Sequence, residues 1–325
     1  DATAPVVVGD TLFYVGAEFE GLDFAGRTPG LWAVPYAGGT PRRLTDPETI
    51  HVHGDVGEPS AWHDAILVAI LDRGAVSLRA VPMDADRAAL SSLPAVLGGR
   101  RVVTSFRVSR EQVAAVVADP SSCGDVVIGD IGSLIAAEDS TADEGTDGAG
   151  AAHRLTEVSA PLRAAGISAP IEITGSAPDG YPVHGWLVLP PDEFAAPHPV
   201  LLNVHGGPHS AYGWAVFDEA QMYAAHGYAA VLPDPRGSAG CGQAHGRALL
   251  GELGVKDVDD ILALLDAALA RNDLDAGRVG VMGGSYGGFM ASWLASHAPG
   301  RFLAGVSERR ERLGLADRDV GYRLF

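Results

Sequence analysis

The sequence has few cysteines, few basic residues and no long apolar run, and each shortage excludes a class of protein. Its two cysteines, Cys123 and Cys241, are 118 residues apart and form no CxxC pair, which argues against a disulfide scaffold or a thiolate metal site. This usage predicts a reducing compartment, and hence a cytoplasmic location. The 41 acidic residues outnumber the 23 basic ones, and a net charge of −18 argues against a nucleic-acid surface.

Several motifs are absent as well. No apolar run approaches the ~20 residues that cross a bilayer, so we expect no membrane span. There is no G-x-G-x-x-G, no P-loop and no H-E-x-x-H, so we expect no cofactor and no metal ion. His51 and His53 form an H-x-H pattern in a loop, and His63 follows ten residues later. Without carboxylate support these histidines are typical of a solvated surface rather than of a metal site. The first residue is Asp1, and no signal peptide can be recognised.

The 325 residues suffice for two domains, and the first half contains a repeat. The sequence LWAVP at residues 31–35 recurs as LRAVP at 78–82, a shift of 47, and a third β-like run follows at 126–129. The RLT at residues 43–45 likewise recurs at 154–156. Short apolar runs at this period favour about three blades of a β-propeller over residues 1–165, and an ordinary β-sandwich is the alternative. Residues 138–150, acidic and rich in glycine, predict a mobile loop within the last repeat.

After residue 166 the pattern changes to strands alternating with helices. An antiparallel pair, 171–173 with 183–189, is expected around the Asp179-Gly180 turn. Short, almost wholly apolar runs at 200–204, 229–232 and 279–282 are typical of buried parallel strands, and a 3.6-residue apolar stripe predicts a helix over 255–270. Residues 166–325 therefore predict a doubly wound, mostly parallel α/β sheet.

The strongest local signal for chemistry is Gly-Gly-Ser285-Tyr286-Gly-Gly, which contains G-x-S-x-G between a predicted strand and a predicted helix. A sharp strand-to-helix turn exposes the serine hydroxyl, and small neighbours let the backbones pass closely. Ser285 is therefore the predicted nucleophile.

His205-Gly206-Gly207-Pro208 directly follows a predicted strand and resembles the segments that supply an oxyanion-hole N–H. Such a donor must come within about 3 Å of the oxyanion, where a Cβ could obstruct it. We expect the N–H groups of Gly207 and Tyr286 to form this hole. His205 is predicted to hold the loop rather than to act as a base.

A turn-rich loop, PDPRGSAGCG at residues 233–242, follows the next strand at the edge where α/β folds bind ligands. Arg236 could orient a substrate carbonyl or pair with Asp234, and the structural pairing is the favoured interpretation.

Together, HGGP, PDPRGSAGCG and GGSYGGFM resemble the prolyl oligopeptidase family of serine peptidases, and the bacterial acylaminoacyl-peptidase-like branch above all. The resemblance covers residues 165–307 closely and the earlier residues more loosely. It implies that residues 166–325 are the N-terminal part of a catalytic α/β-hydrolase domain, which a β-propeller caps. It also implies a peptide or acyl-peptide substrate, and an Asp and a His downstream of the nucleophile.

The chain departs from the family after the nucleophile. Only 40 residues follow Ser285, and their single histidine, His297, falls in the next predicted helix. Residues 309–319, RRERLGLADRD, also depart from the family pattern. We therefore expect a chain truncated at both ends, or altered in reading frame near residue 309, whose triad Asp and His are missing.

These observations favour a serine peptidase that forms an acyl-enzyme on Ser285. An esterase remains an alternative because G-x-S-x-G does not distinguish esters from amides, and an inactive or binding protein remains another because the base is missing. The sequence does not determine the oligomeric state.

Overall fold

The computed structural model describes residues 2–140 and 152–308 of the chain. These residues form two compact units. The first contains Asp1–Gly166 with the short segments Gly213–Ala215 and Ala239–Ala244, and the second contains Ile167–Tyr212, Val216–Ser238 and the C-terminal part from His245. No helix in the described ranges is long and apolar enough to cross a bilayer.

The first unit is dominated by strands. They are β1 Ala2–Val8, β2 Thr11–Gly16, β3 Gly30–Pro35, β4 Arg42–Arg43, β5 His51–Val52, β6 Ser60–Trp62, β7 Ala65–Asp72, β8 Ala75–Pro82, β9 Ala95–Leu97, β10 Val102–Ser109, β11 Gln112–Asp119, β12 Ser122–Asp130 and β13 His153–Arg154. Two helices, α1 Ile131–Ser140 and α2 Ala160–Ala165, and a 3₁₀ turn, Leu90–Ser92, complete the unit.

The predicted repeat corresponds to three antiparallel hairpins, β2–β3, β7–β8 and β11–β12. These hairpins do not lie in three separate sheets. One sheet has the order β1-β2-β3-β4, whereas the second and third repeats share a nine-stranded sheet because β10 bridges β8 between Val102 and Val76.

The first and third repeats use the same hydrogen bonds. Thr45 Oγ1 accepts the N–H of Leu31, and Thr156 Oγ1 accepts the N–H of Val126. Leu44 and Leu155 donate their N–H groups to the carbonyls of the same two strand residues. The recurrence of RLT thus reflects one structural role, in which the threonine ties an edge strand to its hairpin.

Residues 138–140 of the expected loop at 138–150 belong instead to α1. Asp130 caps this helix by accepting the N–H of Ser133, a start signal that the sequence contains. Ile131 and Leu134 are buried in the core of the unit, and Glu138 accepts the N–H of Gly98. The remainder of the predicted loop, from residue 141 to 150, lies outside the described residues.

The second unit alternates strands and helices. Its strands are β14 Ile171–Ser176, β15 Pro182–Val188, β16 His198–Val204, β17 Ala229–Asp234, β18 Leu274–Gly284 and β19 Ala304–Glu308. Its helices are α3 Asp218–Ala224, α4 Gln243–Arg247, α5 Lys256–Leu269 and α6 Tyr286–His297.

These strands form one sheet of order β14-β15-β17-β16-β18-β19. β14, β15 and β17 pair antiparallel, and the pairs from β17 through β16 and β18 to β19 are parallel. Apolar side chains of the central strands pack on α5 and α6 in a single core. The carboxyl ends of β16, β17 and β18 lead into the three segments that the sequence singled out.

Candidate active site

Ser285 lies between the last residue of β18 and the first residue of α6, in a turn with unusual backbone angles. Its φ is 57° and its ψ is −118°, a combination that L-residues rarely adopt. Strain of this kind costs on the order of 1–3 kcal/mol and is found mostly at functional sites. The structure therefore contains the sharp strand-to-helix turn that the motif predicts.

The glycines around the serine are required by close backbone contacts. A Cβ on Gly283 would lie 2.5 Å from the carbonyl oxygen of Val204, and a Cβ on Gly287 would overlap that same oxygen. A Cβ on Gly288 would overlap the carbonyl oxygen of Glu308. β16 and β19 therefore flank the turn so closely that only hydrogen fits at these positions.

The Ser285 side chain is half-buried, and its hydroxyl has no hydrogen-bond partner within residues 2–140 and 152–308. Its backbone is fixed on both sides: the Ser285 N–H donates to Glu308 O at 3.0 Å, and the Ser285 carbonyl accepts the N–H of Phe289. Tyr286 is the first residue of α6, so its N–H lies at the positive end of the helix dipole.

The segment after β16 approaches this turn from the other side. A Cβ on Gly206 would lie 3.7 Å from the Cβ of Ser285 and 3.5 Å from Gly284 O, which places the glycine loop beside the serine. Gly207 has a φ of 119°, and a Cβ there would lie 2.6 Å from the backbone nitrogen of His209. In the described part of the chain, the Gly207 N–H donates to no protein acceptor.

His205 is buried and holds this loop, as predicted. Its Nδ1 lies 2.6 Å from Gly206 O, and its Nε2 lies 3.0 Å from the hydroxyl of Ser238. Burial lowers the pKa of His205 to about 4, so the ring is neutral at physiological pH. Sequence reasoning did not identify Ser238 as its partner.

Asp234, at the end of β17, is a buried carboxyl that sequence reasoning treated only as a partner for Arg236. It accepts the N–H of Tyr212 at 2.9 Å and a weaker bond from the Trp186 indole at 3.4 Å. His184 Nε2 and His205 Nε2 lie 3.8 and 3.6 Å from its oxygens. Burial raises the pKa of Asp234 to about 7.

Arg236 forms an ion pair, as predicted, but its partner is not Asp234. The guanidinium instead bonds Asp260 of α5 at 2.6 Å and Asp179 of the β14–β15 turn at 2.5 Å, and it packs over the Tyr181 ring. Asp260 also accepts the backbone N–H of Arg236 at 2.8 Å. Arg236 therefore fixes the loop after β17 to two neighbouring elements, a structural role as favoured but through different acids.

A second buried acid, Asp257 of α5, contacts the residue that follows the serine. It accepts the hydroxyl of Tyr286 at 2.8 Å, and its other oxygen accepts the N–H groups of Gly254 and Val258. Burial raises the pKa of Asp257 to about 6. The bond between Tyr286 and Asp257 was not predicted. In the sequence, Asp257 is recognisable only as an acidic residue in the first turn of a helix.

No described imidazole is hydrogen-bonded to the Ser285 hydroxyl. His297, the only histidine after the serine, is exposed at the end of α6 and stacks on Trp293 with ring centroids 4.0 Å apart. Its Nδ1 is engaged by the Trp293 carbonyl. The predicted departure in residues 309–319 lies outside the described residues.

A mixed sheet of this order, with a serine in a strained turn between a central parallel strand and a helix, defines the α/β-hydrolase class. Residues 214–310 match the prolyl oligopeptidase family. The resemblance to that family that the motifs predicted is therefore confirmed over these residues, which include Ser285.

Relatives of this chain include peptidases from bacteria and plants. It is 46% identical over 145 residues to an uncharacterised peptidase of Bacillus subtilis, YuxL, a match covering 44% of this chain and 22% of that protein. It is 35% identical over 113 residues to acylamino-acid-releasing enzyme 1 of rice (Oryza sativa), covering 35% of this chain and 15% of the enzyme. These matches thus span less than a quarter of each relative.

Solved structures share the fold over most of the chain. The acylaminoacyl peptidase of Pyrococcus horikoshii superimposes with a TM-score of 0.74 at 21% identity, over 93% of this chain and 43% of that one. A puromycin-hydrolysing peptidase of Mycobacterium tuberculosis gives a TM-score of 0.65 at 21% identity, over 91% and 43%. The chain therefore spans less than half of each of these proteins.

Proposed function

We propose that this chain carries the nucleophile and oxyanion hole of a serine peptidase that cleaves short or N-blocked peptides through an acyl-enzyme. The strained turn at Ser285 carries the proposal, because it is maintained at a cost in energy and presents a half-buried hydroxyl that bonds none of the described residues. The hydroxyl oxygen would attack the scissile carbonyl carbon as a general base takes its proton. The C–N bond would then break as the same group returns that proton to the leaving amine.

The negative oxygen that forms in this step would be stabilised by the N–H groups of Gly207 and Tyr286. Support comes from the Gly206 contact with Ser285 and from the position of Tyr286 at the start of α6. Removing one such donor typically costs on the order of 10²–10³-fold in kcat.

Peptides are the substrates we propose, since the matched relatives are named as peptidases and acylamino-acid-releasing enzymes. An esterase has no comparable support among them. We further propose that residues 1–165 are blades of a β-propeller and residues 166–325 part of the catalytic domain, supported by the three related hairpins. A cytoplasmic location remains a prediction from cysteine usage.

The test is covalent labelling of the full gene product that contains these 325 residues. A fluorophosphonate should modify Ser285, identified by mass spectrometry, and Ser285→Ala should abolish the modification. Ser292→Ala on α6 is a matched control that should be labelled like the wild type. A label on another residue, or one that survives Ser285→Ala, would reject Ser285 as the nucleophile.

A further inference from the structure

We propose that Asp257 and the side chain of Tyr286 are a positioning pair, which holds Ser285 in its strained conformation through a hydrogen bond between α5 and the start of α6. The inference rests on the function proposed above, and it names the groups that keep the nucleophile in place. Neither the Asp257 carboxyl nor the Tyr286 hydroxyl is assigned a part in the bond-making step.

The strained backbone of Ser285 needs contacts that hold it. A residue with such rare backbone angles keeps them only where the surrounding structure over-determines its conformation. The Ser285 N–H is held by Glu308 O on β19, and the Ser285 carbonyl is held by the N–H of Phe289. Phe289 belongs to α6, so this second bond ties Ser285 to α6 but does not hold α6 itself. The strain could therefore relax if the start of α6 shifted.

The Tyr286 side chain opposes this shift. Tyr286 is the first residue of α6, and its side chain lies in the buried core of the second unit. Its hydroxyl donates to Asp257 Oδ2 at 2.8 Å. Because the ring is rigid and only two side-chain torsions join it to the backbone, a bond at its far end restrains the Tyr286 Cα. That Cα is one residue from Ser285.

Asp257 is itself held in place, so it can act as an anchor. Its Oδ1 accepts the N–H of Gly254 at 2.8 Å and the N–H of Val258 at 3.0 Å. A carboxyl that accepts three hydrogen bonds cannot turn without breaking at least one of them. Asp257 is also fully buried, so a partner lost here leaves a polar group unsatisfied. The bond to Tyr286 therefore fixes the start of α6 relative to α5.

This restraint acts on the nucleophile and on one candidate oxyanion donor together. The Tyr286 N–H belongs to the planar peptide group that directly follows the Ser285 Cα, so a shift of Tyr286 moves both groups. Their placement matters more in the transition state than for the bound substrate. Loss of the bond should therefore lower kcat and leave KM nearly unchanged. A bond that only satisfied a buried hydroxyl would affect stability alone.

The first experiment compares two tyrosine variants of the full gene product, well below their melting temperatures. Tyr286→Phe should lower kcat by about 10-fold, less than the loss of a whole oxyanion donor, with KM within about 2-fold of the wild type. Tyr181→Phe is the matched control, because it removes a hydroxyl that bonds buried His245 at 2.8 Å in the same unit. It should leave kcat and KM within about 2-fold, and an equal loss of kcat in both variants would overturn the proposal.

The second experiment is a double-mutant cycle that tests whether Asp257 acts through Tyr286. Asp257→Ala should also lower kcat by about 10-fold. The double variant Asp257→Ala/Tyr286→Phe should lose no more than about 2-fold beyond the slower single variant, because both changes break the same bond. Losses that multiply to about 100-fold would show that the two side chains act independently, and they would overturn the pairing.

The outcomes separate this inference from the proposed function. If Ser285 is labelled but folded Tyr286→Phe has wild-type kcat, the positioning role is wrong and the proposed function stands. If Ser285→Ala keeps full activity, the proposed function is wrong, and this inference with it. Should Tyr286→Phe not fold because a buried carboxylate has lost its donor, Tyr286→Phe/Asp257→Asn removes that charge. In this double variant a kcat about 10-fold below the wild type supports the role, and an unchanged kcat overturns it.

Discussion

At the scale of single residues, the geometry of the site depends on several glycines, at positions where no side chain would fit. Gly287 belongs to a helix, where alanine is ordinarily more stable than glycine by about 1 kcal/mol. Here the added Cβ would overlap the carbonyl oxygen of Val204. We therefore expect Gly287→Ala to destabilise the protein by about 1–3 kcal/mol, the usual cost of overpacking, with a sign opposite to that of helix propensity.

Chemical denaturation of Gly287→Ala beside Gly305→Ala measures this effect. Gly305 lies on β19, where a Cβ would be 3.6 Å from its nearest neighbour, an ordinary contact. This control should remain within about 0.5 kcal/mol of the wild type. Equal stabilities for the two variants would show that the approach of β16 to the turn is looser than described.

Two neighbouring glycines of the other loop should respond differently to the same change. At Gly207 the positive φ and the contact with the His209 nitrogen oppose any side chain, so Gly207→Ala should shift the loop and lower kcat by about 10²-fold. Gly206 has only ordinary contacts around its Cβ position, so Gly206→Ala should melt within about 2 °C of the wild type. Steady-state kinetics and melting of both variants test this, and a Gly207→Ala enzyme with unchanged kcat removes Gly207 from the hole.

At the scale of elements, the hydroxyl of Tyr286 ties α6 to α5 through the buried Asp257. The folded protein raises the pKa of this carboxyl to about 6, above its value in an unfolded chain. A group whose pKa rises on folding makes stability fall as pH rises between the two values, here from about 4 to 6. Above pH 6 the carboxylate is ionised, and the Tyr286 hydroxyl then makes a charge-assisted hydrogen bond.

Tyr286→Phe should therefore cost more at high pH than at low pH. We expect a loss of about 1 kcal/mol at pH 5 and about 2–3 kcal/mol at pH 8, where an ionised acceptor loses its donor. Urea unfolding at the two pH values measures it, with Tyr228→Phe, an exposed tyrosine of the same unit, as the control. A pH-independent loss would show that Asp257 does not change its ionisation between pH 5 and pH 8.

The strands and the long helix of the second unit were largely predictable, because the period of the apolar residues indicates which side of each segment is buried. The strands around 200–204, 229–232 and 279–282 and the helix over 255–270 all occur close to their predicted bounds. The partners of polar residues were not predictable. Arg236 bonds an acid 24 residues further along the chain rather than one two residues before it, and only the packing of α5 on the sheet brings that acid near.

At the scale of the whole molecule, the described residues present a candidate nucleophile and two candidate oxyanion donors, but no imidazole among them is hydrogen-bonded to the Ser285 hydroxyl. A serine hydroxyl is a weak nucleophile until a base removes its proton. His205 is neutral and engaged on both nitrogens, and His297 is exposed and turned onto Trp293. The fold explains how this chain would bind and orient a carbonyl without explaining how it would activate the hydroxyl.

We therefore expect the 325-residue polypeptide, expressed alone, to hydrolyse acyl-peptide p-nitroanilides at background rate. Loss of the base in a serine protease typically removes on the order of 10⁶-fold in kcat, whereas oxyanion and binding contributions persist. The matched control is Ser285→Ala of the same polypeptide, which should be indistinguishable from it. Turnover near 1–10 s⁻¹, typical of an enzyme, that Ser285→Ala abolishes would show that a residue of this chain acts as the base. His205→Gln would then distinguish a catalytic imidazole from one that only holds its loop, since only loss of a base would approach a 10⁶-fold effect.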